Sequence, residues 1–509
     1  MYSKVFSAGI TGLEAHIIQV EADASNGLPV FCMVGFLASA VKEARERVRI
    51  SLQNTGYRFP AKRITVSLSP ADLRKDGSGF DLPIAVSLLA AFGQIPHNKL
   101  ERILIAGELS LDGKVDGIHG ALAMAMLAKQ EGFDTFVLPK KNAAEAALVE
   151  ELEVIGVDTL EEVIQWLQGK KEIPRVQIDY KKMESQNQCS TLDFQEIYGQ
   201  ENAKRALEIA VSGGHNVLMV GAPGTGKTML AKRIPGIMPR LTREESLELT
   251  KIYSVAGMLS EEMPIITQRP FRAPHHTITP TALAGGGSRP IPGEITLAHQ
   301  GVLFLDELPE FSRGTLEILR QPMEERAISI SRLGNAYRYP SEMMVVAAMN
   351  PCRCGLYPNL RRCRCTTAQI QHYLAKLSEP LLDRMDIGVE MESTEQLMTK
   401  KSGESSETIR RRIEKTRHIQ RIRYHKEGIQ TNSELQGRLL TKYCYLGKSE
   451  EVFWKELVLQ NAMSLRGAQR MLRVARTIAD MEECDDIKED HLLQASLYKI
   501  INKKYWGGV

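Results

Sequence analysis

Lys227 and Thr228 close the run Gly221-Ala222-Pro223-Gly224-Thr225-Gly226-Lys227-Thr228, which has the residue types and spacing of a phosphate-binding loop. Glycines let successive backbone N–H groups face one anion. Lys227 adds a point charge for the β- and γ-phosphates of ATP, and the Thr228 hydroxyl can ligate Mg2+. Asp306 and Glu307 form a second pair, suited to holding the metal through water (Asp306) and polarising the attacking water (Glu307). Asn350 could orient that water or simply turn the chain before Pro351. Arg384 reads either as a helix-end salt bridge or as a finger offered to a neighbouring subunit, and Arg466 is placed to sense the γ-phosphate.

Two close-set thiol pairs, Cys352/Cys354 and Cys363/Cys365, flank a loop containing Gly355 and Pro358 and predict a four-thiolate Zn2+ site, with reduced free cysteines as the alternative. Arg353, Arg361, Arg362 and Arg364 surround it and suit phosphate contact. Cys32, Cys189, Cys444 and Cys484 lack such partners and read as structural. Ala327 to Tyr339 reads as a hairpin turning at Gly334-Asn335. That turn sets Arg332 against Tyr337 and Ile330 against Tyr339 on one face, with Ser331 and Arg338 on the other. Arginines that track phosphates beside stacking aromatics suit a DNA-contacting pore element, against the plainer reading of a solvated surface hairpin. Thr279 to Pro292 is a second pore-loop candidate. The basic stretch Arg410 to Lys426 reads first as a solvated helix face and second as a DNA-facing one. His275 and His276 should diverge on a regular element, which favours loop packing over joint metal binding.

These side chains need elements to aim them. Val217 to Val220 is a short apolar run that predicts a buried parallel strand, with a helix beyond the phosphate loop whose N-terminus faces the same anion. Gly301 to Leu305 and Met344 to Met349 predict two more strands, delivering the acid pair and Asn350 at their C-terminal ends. Upstream, Ser7 to Val34 alternates in strand fashion, Val41 to Asn54 and Leu82 to Phe92 read as helices, and Ile64 to Leu68 as a strand, an α+β pattern. The polar, period-free stretch after Lys170 reads as a linker. The predicted domains are therefore 1–170, a linker at 171–191, a core at 192–395 and a helical lid at 396–509.

A chain of 509 residues suggests about three domains. Apolar content of 43% and charged content of 25% fit a folded globular protein and exclude extensive disorder. The net charge of +3 neither requires nor excludes nucleic acid. No apolar run reaches signal-peptide or membrane-span length, so the expected location is cytoplasmic, with eight cysteines reduced or metal-bound.

Arg74 to Pro83 and Gly107 to Val115 resemble the Lon-protease C-terminal domain, which has a ribosomal-S5-like fold. Its Ser–Lys dyad is missing by this likeness. Gly79 stands where the serine would, Leu122 and Met124 where a lysine would, and Ser78 is one residue away, so a non-catalytic module is expected. The phosphate loop, acid pair, Asn350, Arg384 and Arg466 together resemble an AAA+ P-loop parallel-sheet domain with a C-terminal α-helical lid. Phe271 to Thr277, Gly285 to Gly287 and Pro292 to His299 resemble the magnesium-chelatase group, and the whole chain is similar to the ComM (YifB-type) family. That resemblance implies an ATP-dependent DNA translocase that drives branch migration during natural transformation as a hexameric ring. The alternative is a chelatase-like protein-remodelling ATPase.

Overall fold

Alternating apolar and polar residues shape the two long N-terminal strands. The computed structural model pairs β1 (Tyr2–Thr11) with β2 (Glu14–Ser25) as an antiparallel hairpin. The structure describes the chain except residues 181–182, 184–191, 288–289, 333–334, 360, 393–402, 500–503 and 507–509, and except the side chains of 332 and 335. It folds as two units, Met1–Asn187 with Thr242–Thr267, and Gln188–Leu241 with Gln268–Val509. Among the described residues no helix is long and apolar enough to cross a membrane.

In the first unit the hairpin is joined by β3 (Val30–Val34), β4 (Arg63–Ser69) and β5 (Ile103–Ile105). A small pair, β6 (Glu108–Leu109) and β7 (Val115–Asp116), precedes β8 (Thr135–Pro139) and β9 (Glu153–Val157). The seven-stranded sheet runs β3-β4-β2-β1-β5-β8-β9. The two expected helices form at Ser39–Asn54 and Asp81–Ala91, and the second is buried along its whole length because only Asp81 in it is charged. That carboxylate is satisfied by Arg47 Nε and Nη2 at 2.8 and 3.0 Å. Leu122 and Met124 lie buried, and the Ser78 hydroxyl donates to the Glu108 carboxylate, a partner that cannot act as the lysine of a Ser–Lys dyad.

Two expected boundaries are corrected here. The stretch predicted as a linker packs on the first unit: Val176 N–H donates to Val154 O at 2.9 Å, and Ile178, Tyr180 and Met183 pack with Leu122, Leu148 and Ile265. Its part at 184–191 lies outside the described residues. The core expected at 192–395 is interrupted, because the helix Arg243–Val255 belongs to the first unit. It packs on the helix Ala121–Gln130, Ser254 O accepts from Gly120 N–H at 3.0 Å, and Lys251 pairs with Glu14 at 2.8 Å. An amphipathic pattern announces a helix without naming the face it will cover.

The second unit is built on β10 (Val217–Val220), β11 (Phe271–Arg272), β14 (Val302–Leu305), β17 (Met344–Met349) and β18 (Ile387–Glu390), in the order β11-β14-β17-β10-β18. All neighbours are parallel. Such a sheet is covered on both faces, which is why β10, β14 and β17 are apolar at every position and fully buried. Two-residue strands β12 (Gly285–Gly286) and β13 (Ile291–Pro292) pair within the chelatase-like insert. The C-terminal helices, including Ser406–Tyr424 and Leu465–Met481, share one apolar cluster with β10 and the helix Glu201–Gly213, so the helical region expected as a lid at 396–509 packs on the core of the second unit. The expected boundary at 395–396 itself lies outside the described residues.

The hairpin is present as β15 (Ala327–Arg332) and β16 (Asn335–Pro340), with a different register. Tyr337 faces Ile330, Arg338 faces Ser329, and Arg332 faces Asn335. The expected tip includes Gly334, outside the described residues. Packing at the stem sets the register: Tyr339 is buried and its hydroxyl donates to Pro290 O at 3.0 Å. A slip of two leaves every described side chain of the hairpin on its expected face. The basic stretch has the solvated face expected for it, with Arg411, Lys415, Arg421 and Lys426 exposed. Its other arginines are engaged by the fold: Arg412 pairs with Glu208 at 2.6 Å, Arg423 with Asp480 at 2.6 Å, and Arg410 and Arg417 donate to Gly236 O and Val211 O.

Candidate nucleotide site and cysteine knuckle

The phosphate loop leaves the C-terminal end of β10, where a parallel sheet presents its ligand crevice. Gly226 has φ +88° and precedes the helix Lys227–Ile237, so a left-handed residue turns the loop into the helix N-terminus. Lys227 Nζ donates to Gly221 O at 2.7 Å, Ala222 O at 2.9 Å and Asn350 Oδ1 at 3.1 Å. Thr228 Oγ1 donates to Asp306 Oδ2 at 2.8 Å. Burial pushes the Lys227 ammonium below its ordinary range, and Asp306 and Glu307 pull it back up. Residues from β10, β14 and β17 thus converge at one edge of the sheet. A hydroxyl and a carboxylate in contact are a hard oxygen pair that fits Mg2+.

Glu307 has φ +51°, in the left-handed region, and its side chain is more than half exposed. His276 Nδ1 stands 3.5 Å from its carboxylate. The two histidines do not diverge as expected, because their segment is irregular. Their rings lie 4.0 Å apart, and His276 meets Phe311 edge-on. Arg466 is exposed in the first turn of the helix Leu465–Met481. Arg384 is not brought to the phosphate loop. It is 8% exposed, donates through Nη1 to Pro380 O at 2.6 Å and is ion-paired to Glu324.

The turn carrying Arg384 is held from behind by Asp386. Its carboxylate accepts from Asn216 N–H at 3.2 Å and lies 3.3 Å from Arg470 Nη1, while Asn216 Nδ2 donates to Arg384 O at 3.3 Å. Burial would raise the Asp386 carboxyl, yet Arg470 first, with His215 and Lys499, holds it well below the usual carboxylate range. His215 is wholly buried and is pushed down by that burial, which keeps the ring neutral; its Nε2 is hydrogen-bonded to Thr477 Oγ1 at 2.8 Å. Two lid-helix residues, Arg470 and Thr477, are thereby tied to the start of β10.

Cys352, Cys354, Cys363 and Cys365 come together as expected, their sulfur atoms all within 4.8 Å of one another. Three of the separations are 3.4, 3.7 and 3.5 Å. Zinc–thiolate bonds of about 2.3 Å in a tetrahedron put sulfurs about 3.8 Å apart, so this donor set fits the ion. Burial raises the Cys354 thiol, but backbone N–H groups of Arg364 and Leu356 and the neighbouring thiols bring it down to about 6, so a thiolate is available at neutral pH. Tyr337 is half-buried and Arg338 exposed on the hairpin, while the side chain of Arg332 lies outside the described residues.

Gln200 escaped the sequence reading. It sits in the left-handed region at φ +58°, 1% exposed, and its Nε2 donates to Thr225 O at 3.1 Å and to Glu392 O at 3.1 Å. It grips the phosphate loop from the side of the preceding helix. The Gly199-Gln200 pair before an apolar helix was the signal available, since a buried amide at a helix start needs partners.

A parallel sheet with this loop and acid pair defines the class, and family models agree. Residues 193–399 match "Magnesium chelatase, subunit ChlI", residues 20–142 "Subunit ChlI of Mg-chelatase" and residues 403–499 "Magnesium chelatase, subunit ChlI C-terminal". The chain is 42% identical over 502 residues to the uncharacterized protein YifB of Salmonella typhimurium, covering 98% of this chain and 97% of that one. It is 40% identical to competence protein ComM of Haemophilus influenzae, covering 97% of each. A shorter match, 30% identical over 167 residues, links 30% of the chain to 20% of the Lon protease of Chloroflexus aurantiacus. The chain belongs to the ComM/YifB-type family of magnesium-chelatase-like AAA+ ATPases.

Proposed function

We propose that this chain is an ATP-dependent DNA translocase that drives branch migration in homologous recombination, in the cytoplasm, during uptake of transforming DNA. The observation that carries the reading is the convergence of Lys227, Thr228, Asp306 and Asn350 in one crevice. Lys227 binds the β- and γ-phosphates and turns from its backbone carbonyls to do so. Thr228 and Asp306 hold Mg2+, which offsets charge on the phosphates. Glu307 accepts a proton from the attacking water at its carboxylate, and Asn350 orients that water by its amide. Arg466 approaches the γ-phosphate from the lid. Arg384 acts on the nucleotide of a neighbouring subunit in a hexameric ring, exchanging Glu324 for phosphate. The DNA reading draws on the competence protein's likeness and on the hairpin, where Arg332 and Arg338 track phosphates and Tyr337 stacks on bases. Cys352, Cys354, Cys363 and Cys365 would hold Zn2+, which would order the knuckle when bound.

The family models favour a second reading, a chelatase-like ATPase that remodels a protein. Phosphate release measured with and without single-stranded or four-way-junction DNA at low salt separates the two. The translocase reading expects clear stimulation that weakens as salt rises, because phosphate contacts are strongest when ions are few. A rate indifferent to DNA favours the remodelling ATPase.

A further inference from the structure

The cysteine knuckle touches the phosphate loop. Gly355, between the thiol pairs, has φ +76°, and a Cβ built on it would stand 2.3 Å from Cδ of Pro223 and 3.0 Å from its Cγ. Backbone of the knuckle therefore lies directly on the proline of the phosphate loop, with no room for a side chain. The knuckle is also continuous with the water-orienting strand end, since Asn350, Pro351 and Cys352 are consecutive and Asn350 Oδ1 accepts from Lys227 Nζ at 3.1 Å. Cys352 is fully buried in the same apolar cluster as Val220 and Met349, the last residues of β10 and β17. The phosphate loop is thus gripped on two flanks, by Gln200 on Thr225 and by Gly355 on Pro223.

The first grip is made of hydrogen bonds within the fold. The second depends on what holds four thiols together, because packed sulfurs without a cation have no strong mutual attraction, whereas a tetrahedral metal locks the loop between them. We propose that a zinc ion on Cys352, Cys354, Cys363 and Cys365 is a strut for the nucleotide pocket, so that metal occupancy sets nucleotide affinity. This rests on the nucleotide-binding reading given above and adds a means of regulating that site. Without the strut, Gly355 retreats from Pro223 and the loop N–H groups lose their common aim. Losing one charge-assisted N–H···phosphate bond weakens binding by about tenfold or more. Linkage requires the reverse effect with the same factor: nucleotide must tighten the hold on zinc.

The test uses the full chain and three preparations: as isolated, stripped of metal, and stripped then reloaded with Zn2+. Fluorescent ADP with Mg2+ is titrated into each, and zinc transfer to a chromophoric chelator is followed with and without ADP. The expected result is about one zinc per chain, about tenfold weaker ADP binding on stripping, recovery on reloading, and zinc held about tenfold more tightly when ADP is bound. Gly355→Ala should keep its zinc and still bind ADP about tenfold more weakly, because its Cβ meets Pro223. Stripped protein or Gly355→Ala that binds ADP as tightly as the loaded wild type overturns the strut, as does an as-isolated chain without zinc. Loaded wild-type protein that binds no ADP instead overturns the nucleotide reading itself.

Discussion

Glu307 is the residue whose chemistry is most exposed to test. Replacing its carboxylate with an amide leaves the phosphate contacts in place and removes the proton acceptor. Glu307→Gln should therefore bind ATP normally and release phosphate about 100-fold to 10,000-fold more slowly, in single-turnover measurements. Asp306 and Asn350 were legible in the sequence because each directly follows a short apolar strand, and Lys227 and Thr228 because they close a glycine-rich loop between such a strand and a helix, positions that local pattern marks. Gln200 and Gly355 were not legible as site residues. Each acts on the phosphate loop through a tertiary contact with a residue further along or back in the chain, Thr225 for one and Pro223 for the other; the local pattern marks Gln200 as a helix-start residue in need of partners but does not say which partners either residue meets.

At the scale of elements, the hairpin and the lid carry the predictions. Tyr337→Ala and Arg338→Ala, together, should leave ATP hydrolysis without DNA intact and abolish its stimulation by DNA; equal stimulation in the variant would release β15 and β16 from the DNA role. The lid's hold on the core passes through Asp386, so Asp386→Asn should lower stability by about 3 kcal/mol, read by chemical denaturation, since Arg470 would keep a buried charge without its partner. The pH dependence has a definite sign. Both His215 and Asp386 have folded values below their ordinary ones, so the unfolded chain binds more protons and stability falls as pH drops below about 6.5 for the histidine and about 4 for the aspartate. His215→Gln should flatten the loss between those two limits. Strand existence and face were legible here, while the hairpin register was not, because the packing of Tyr339 at the stem overrides the preference of the turn. The helix Arg243–Val255 shows the same limit: its amphipathic text gives a buried face and leaves open which unit it buries it against.

For the whole molecule, the account requires that one chain complete another. Arg384 is held by its own Glu324, away from the phosphate loop of its own chain, which is where a residue meant for a neighbour can wait. Mixing Arg384→Ala subunits with Glu307→Gln subunits should restore part of the ATPase rate that neither has alone, because some interfaces then pair an intact arginine with an intact base. Failure of any mixture to exceed the separate rates under co-assembling conditions would confine Arg384 to its salt bridge. The most direct measurement is movement itself: a mobile four-way DNA junction incubated with the wild-type chain, Mg2+ and ATP, with its conversion to duplex products followed over time. The account expects ATP-dependent conversion by the wild type and none by Glu307→Gln. A wild-type chain that hydrolyses ATP and binds the junction but leaves it unmoved would contradict it.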